Sequence, residues 1–215
     1  MSFTGFHEKD FDVFSIEGLD DRMQGIISQI RPKLEFLGQH FAASLSALTG
    51  EEMFFHVAKH ARRTVNPPND TWVAWAGDKR GYKKHPHFQV GLWGTHLFVW
   101  YAVIYESPFK EGISQSMAEH LDEIMATIPD DFRWSPDHMQ PESTTQAVLG
   151  REGVAQMIDR LQRVKKAELL CGFTIDRHNP LLRDGDKLLK RMDETFSTLA
   201  KLYQLGKQGT VSASR

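Results

Sequence analysis

Apolar residues recur every three or four positions through Leu19, Met23, Ile26, Ile30, Leu34, Leu37, Phe41, Leu45 and Leu48. That spacing puts one apolar stripe along a helix for about eight turns. Pro32 lies within it and either kinks one helix or opens a second at its first turn; Gly50 is placed to stop it. Just ahead, Asp12-Val13-Phe14 reads as a short strand, Ser15 as a helix cap, and Asp20 and Asp21 as first-turn acids. The same periodicity predicts helices over about Lys110–Thr127, Glu152–Lys165 and Gly185–Leu205.

The intervening stretches carry strand patterns. Across residues 51–63 the Thr49 and Glu52 pair has capping-box spacing, whereas alternation would put Phe54, His56, Ala58, His60 and Arg62 on one side of a strand. The strand reading is preferred because the chain from Thr71 onward is β-like, and both readings leave His56 and His60 on a common face. Asn66-Pro67-Pro68-Asn69-Asp70 must turn. Thr71–Ala76 is strand-like and residues 77–84 form a basic loop hinged at Gly81. Phe88–Trp93 and His96–Tyr105 flank Gly94-Thr95, which suits a two-residue hairpin turn. In that register Leu92 faces Leu97, Val90 faces Val99 and Phe88 faces Tyr101, an apolar core side. The other side carries His85, His87, Gln89, Trp93, His96, Phe98 and Trp100.

Residues 129–149, with three prolines, form a long irregular segment holding a short strand at Phe132–Ser135; loops of this length are functional or mobile. Glu168–Asp176 is a further strand. Successive strands joined by short turns pair antiparallel, so the expected fold is α+β, with a central antiparallel meander sheet and helices packed on it. A single domain over residues 1–205 is expected, followed by a flexible tail at 206–215 that lacks apolar periodicity.

The 215 residues suffice for a full core, and 40% hydrophobic with 25% charged content excludes a disordered chain. The longest apolar run, Leu97–Ile104, is far short of the ~20 residues of a membrane-spanning helix. No signal pattern opens the chain, and the single Cys171 cannot form an internal disulfide and reads as a buried small residue, so a cytoplasmic protein is expected.

Charge sharpens the view of one region. Residues 56–96 hold seven basic groups against Asp70 and Asp78, a local +5 in a chain of net charge -2, together with five of the ten histidines. A positive patch within an acidic protein points to a small anionic ligand and argues against broad DNA binding. The candidate ligand residues are His56, His60, Arg62, Arg63, Lys83, His85, His87, Gln89, Trp93, His96 and Trp100, with Tyr82 able to stack a ring. Lys79, Arg80 and Lys84 belong to the same basic cluster, as further anion-site members or as ordinary solvated loop side chains, and Trp72 and Trp75 read as sheet formers. No metal site is expected, since no carboxylate or cysteine stands at a recognised spacing from the histidines. Two alternatives stand beside ligand binding: acid–base chemistry, which would need a histidine with Asp70, Asp78 or Glu106, and a protein-interaction module, which would show a large exposed apolar patch and no pocket. No catalytic residue and no cofactor is indicated, because nucleophile-elbow, phosphate-loop and dinucleotide fingerprints are absent, and nothing in the pattern specifies an oligomeric state.

The runs HVAKHARRTVNPPNDTWVAW, KRGYKKHPHFQVGLW and FVWYAVIYESP, with Phe11-Asp12-Val13-Phe14, Lys165-Lys166-Ala167-Glu168-Leu169-Leu170 and Leu199-Ala200-Lys201-Leu202-Tyr203, resemble the YktB-like family of Gram-positive bacteria, an uncharacterised family. The resemblance covers nearly the whole chain. It implies an α+β fold with a central antiparallel sheet and a bacterial cytoplasmic setting, and it carries no catalytic residue or cofactor with it.

Overall fold

The computed structural model describes residues 2–212. A seven-stranded sheet in the order β1-β2-β3-β4-β7-β5-β6 is antiparallel at every pairing. Its strands are β1 (Phe54–Val57), β2 (Asp70–Ala76), β3 (His87–Trp93), β4 (His96–Val103), β5 (Arg133–Ser135), β6 (Thr144–Thr145) and β7 (Leu169–Asp176). The helices are α1 (Glu8–Asp12), α2 (Leu19–Gly25), α3 (Arg31–Thr49), α4 (Lys110–Glu119), α5 (Leu121–Thr127), α6 (Gln146–Arg163) and α7 (Gly185–Ser212). The fold is α+β, as expected. The first four strands are a meander, and β7 then enters between β4 and β5.

The hairpin has the predicted register: Leu92 pairs with Leu97, Val90 with Val99 and Phe88 with Tyr101. Those residues belong to one apolar core with Trp75, Val73, Cys171 and the buried stripes of the helices. Phe196 and Tyr203 of α7 pack their rings on Phe88, and Phe41 of α3 meets Trp75 edge-on. The opposite face has a smaller cluster built from strand residues and their immediate neighbours: Trp93, Phe98, Trp100, Ala102, Ile104 and Leu170, with Trp72 against it. Helices cover one face, and loops cover the other.

Several local expectations change. Asp12-Val13-Phe14 is not a strand; Asp12 ends α1 and Val13–Ser15 is a 3-10 turn. The Asp10 carboxylate accepts from the His7 amide at 2.7 Å and starts a helix there, ahead of the predicted cap. Pro32 opens α3 in its first turn and cannot donate backward, and the chain just before it widens into a π turn over Ile26–Ile30. Gly50 ends α3 at φ 74°, as predicted. β1 stops at Val57, and His60 takes φ 52°, so the alternation expected through Arg62 is lost. Gly150 interrupts α6, which is why the regular periodicity begins after it.

The tail expected from Gly206 onward is helical as far as Ser212, and residues 213–215 lie outside the described residues. Packing drives this extension. A Cβ at Gly206 would come within 2.4 Å of the Tyr101 hydroxyl, and one at Gly209 within 2.5 Å of the Gly112 backbone. Glycine there admits a close approach that apolar periodicity does not register.

Two glycines shape the second face. A Cβ at Gly172 would lie 1.9 Å from the Val99 carbonyl oxygen and 2.9 Å from the Trp100 ring; one at Gly91 would lie 2.4 Å from Phe98. The rings of Phe98 and Trp100 therefore rest directly on backbone. Gly172→Ala is expected to destabilise the protein by about 3 kcal/mol, because neither β4 nor the ring can give way cheaply. Urea unfolding measures this, and an unchanged midpoint would contradict the close approach.

Candidate functional site

The second face divides into two regions. At one end the loop after β2 folds back, and Tyr82 stacks on His56 at 5.1 Å, meets His87 edge-on at 5.1 Å and accepts a hydrogen bond from Trp72 Nε1 at 2.9 Å. Burial pushes the Tyr82 hydroxyl up to about 12, so it stays protonated. His56 Nε2 meets the Asp78 carbonyl at 3.0 Å, His85 lies 3.4 Å from the Asp78 carboxylate, and Lys83 donates to Glu106 at 3.2 Å.

His87 is fully buried and its pKa falls to about 4, chiefly from desolvation. Its tautomer is set by its partners: Nδ1–H donates to the His85 carbonyl at 2.7 Å, leaving Nε2 to accept from the Gln89 amide at 2.8 Å. This neutral imidazole orients Gln89. His60 is also held neutral, with its pKa lowered to about 4 mainly by burial, and contacts Thr71 Oγ1 at 3.1 Å. Arg62 is exposed, and Arg63 donates to the carbonyls of Asn66 and Pro67 at 3.3 and 3.4 Å.

At the other end a cleft opens, lined by Gln89, Trp93, His96 and Trp100 from the predicted set, with Asp70, Trp72, Asp137 and His138 among its further walls. Its free space is about that of one water molecule. The eleven predicted residues thus do not form one pocket. Four line the cleft and His87 supports it from below, while His56, Lys83 and His85 are engaged around Tyr82 and His60, Arg62 and Arg63 lie at the sheet edge. Trp75 is core, its Nε1 bonded to the Gly38 carbonyl at 3.0 Å.

The groups with most chemical content here are Asp70 and His138. Asp70 opens β2 opposite Trp93 and is only 5% exposed. Among the described residues the sole hydrogen bond to its carboxylate comes from its own amide. Desolvation raises its pKa to about 6, against the opposing charges of His138, Arg63 and Lys83. His138 Nδ1 sits 2.8 and 2.7 Å from the two oxygens of Glu168, and its amide donates to the same carboxylate at 2.7 Å. The Tyr105 amide adds a bond at 3.3 Å. Burial alone would favour the neutral forms of this pair, yet the mutual hydrogen bond and attraction prevail: His138 titrates above its ordinary value and Glu168 below its own. His96, by contrast, is lowered to about 4 by burial and by Arg133.

Asp137, His138 and Glu168 bring one donor atom each within 4.8 Å of one another. Both Glu168 oxygens already accept from protein donors, and Asp137 accepts from the Met139 amide at 2.8 Å, so the cluster reads as a hydrogen-bonded set. His138 and Glu168 were missed from sequence because they are 30 residues apart and outside the basic stretch. The one signal for them was the long segment 129–149, of which residues 135–141 wall the cleft.

An antiparallel sheet clad by helices on one face, with a small aromatic and acidic cleft on the other, is the class of protein these features define. The family model described as "Domain of unknown function (DUF1054)" matches residues 6–203, and the chain belongs to this family. A UPF0637 protein of Bacillus velezensis is 52% identical over 205 residues, 95% of this chain and 98% of the relative. One of Bacillus licheniformis is 50% identical over 211 residues, covering 98% and 100%. A third, of Bacillus cereus, is 48% identical over 205 residues, covering 95% and 99%. These matches bear out the resemblance to an uncharacterised Gram-positive family. No helix among the described residues is long and apolar enough to cross a membrane.

The titrating groups make stability depend on pH in two ways. His60, His87 and His96 bind protons less readily folded than unfolded, so each loses stability for the fold as pH falls from 6.5 toward 4. Asp70 acts in the opposite sense over part of that range, one group against three. The melting temperature is therefore expected to drop on acidification from pH 6.5 to 4, and a flat profile in calorimetry would contradict the buried neutral histidines. Because the folded pKa of Asp70 is raised, its penalty develops between pH 3.8 and about 6 and is complete above that. Asp70→Asn is expected to stabilise the protein by about 1–3 kcal/mol at pH 8 and by nearly nothing at pH 3.5. Urea titrations at the two pH values measure the difference.

Proposed function

We propose that this protein is a cytoplasmic small-molecule binder whose site is the cleft between Asp70, His96, His138 and the indoles of Trp72, Trp93 and Trp100. The observation that carries this reading is Asp70, a carboxylate buried at the cleft without a side-chain partner. Burying a polar group bare costs stability, and a protein retains such a cost most readily where a ligand is to meet the group. The lining favours a neutral or positive ligand over the anion that the basic stretch suggests. Asp70 and Asp137 face the cleft, whereas Lys83 and Arg63 are directed to other partners.

A second reading, acid–base catalysis in the same cleft, is favoured by the His138–Glu168 pair. Glu168 fixes the imidazole through Nδ1, which leaves Nε2 as the proton-exchanging atom, and Asp70 titrates near 6 in the same cleft.

A fragment panel of nucleosides, sugars, amino acids and amines, read by amide and indole NMR shifts, tests the site. Binders are expected to move the Trp93 and Trp100 indole signals together with amides of residues 135–141. Shifts confined to other surfaces, or none across the panel, would sink the reading.

A further inference from the structure

If the cleft is a ligand site, its walls also specify the charge of what enters. Phe98 and Trp100 lie nearly parallel, at 22°, with Phe98 over Gly91 and Trp100 against Gly172, and both line the cleft. Trp72 and Trp93 add two more rings. Asp70 stands among them with no side-chain partner, and Asp137 contributes a second carboxylate. The positive charge that His138 brings to this lining is matched by Glu168. Arg133, nearby, is bonded to the hydroxyl and carbonyl of Ser143.

A ring face attracts positive charge through its quadrupole, and a partly desolvated carboxylate attracts it by Coulomb force. Neutral and anionic groups gain neither. We propose that the cleft takes the primary ammonium head group of a small organic amine, with Asp70 as its counter-ion and the aromatic side chains as its walls. This rests on the cleft being a ligand site, as proposed above. Free space of about one water suits a head group, with the rest of the molecule directed out through the open side.

Three small probes separate the possibilities: methylammonium, methanol and formate, titrated against the full chain at pH 8 by tryptophan fluorescence and calorimetry. Methylammonium is expected to bind about tenfold tighter than methanol, with formate weakest. Asp70→Asn is expected to abolish the preference. Lowering the pH to 5 should do the same in the unsubstituted protein, which keeps the test intact should the variant fold poorly. At pH 5 Asp70 is largely protonated. Of the other titratable groups around it, His138 gains positive charge on acidification and His96 stays largely neutral at both pH values, while Asp137, Arg63 and Lys83 are the remaining charged neighbours. Equal binding of methanol, tighter binding of formate, undiminished methylammonium binding by Asp70→Asn, or no binding by any probe would each overturn the proposal. The fragment map would still decide separately whether the cleft is a ligand site.

Discussion

The bond between His138 and Glu168 is the contact on which the site depends. Glu168 stands at the foot of β7, 3% exposed, and its carboxylate accepts from the imidazole and amide of His138 and the amide of Tyr105. It thereby pins the segment after β5 across the second face of the sheet. Without that anchor the cleft would lose one wall, and Trp93, Trp100 and Leu170 would lie open to water. A charge-assisted bond does this well because breaking it would leave Glu168 buried and under-partnered, a cost larger than the net worth of an ordinary hydrogen bond.

The two faces of the sheet use different physics. The helix-covered face is held by apolar burial and ring packing centred on Trp75, Phe88, Phe196 and Tyr203. The loop-covered face is held by small polar sets: Tyr82 with His56, Trp72 and His87, then His87 with Gln89, then His138 with Glu168. Among the histidines of the basic stretch, His60, His87 and His96 are held neutral by burial. Asp70, with its own amide as sole partner, is the buried carboxylate that lines the cleft.

Much of the fold could be read from the chain because it rests on local rules. The hairpin at Gly94-Thr95 constrains its own register, and with it the division of Phe88–Tyr101 into two faces. The stop at Gly50 and the strands β2, β5 and β7 are dictated by residue type and spacing, whereas the pattern left Pro32 as either a kink or an opening. Local patterning failed where a side-chain bond or a close approach took over. Asp10 capped a helix that runs into Asp12, where Asp12-Val13-Phe14 read as a short strand, His60 left the strand at positive φ, and Gly206 and Gly209 let α7 continue against the core.

The site shows the same division. From the sequence alone came the face on which to look, the residues Gln89, Trp93, His96 and Trp100, and Asp70 as a candidate acid, because a hairpin carries its neighbours with it. Only the tertiary structure decided that the arginines and lysines disperse, that β7 lies beside β4, and that His138 and Glu168 close the cleft. Those outcomes depend on contacts between residues far apart in the chain. Whether a buried carboxylate meets a cation, a backbone amide or an open cleft is not encoded in its neighbours; it is determined by which loop folds over it.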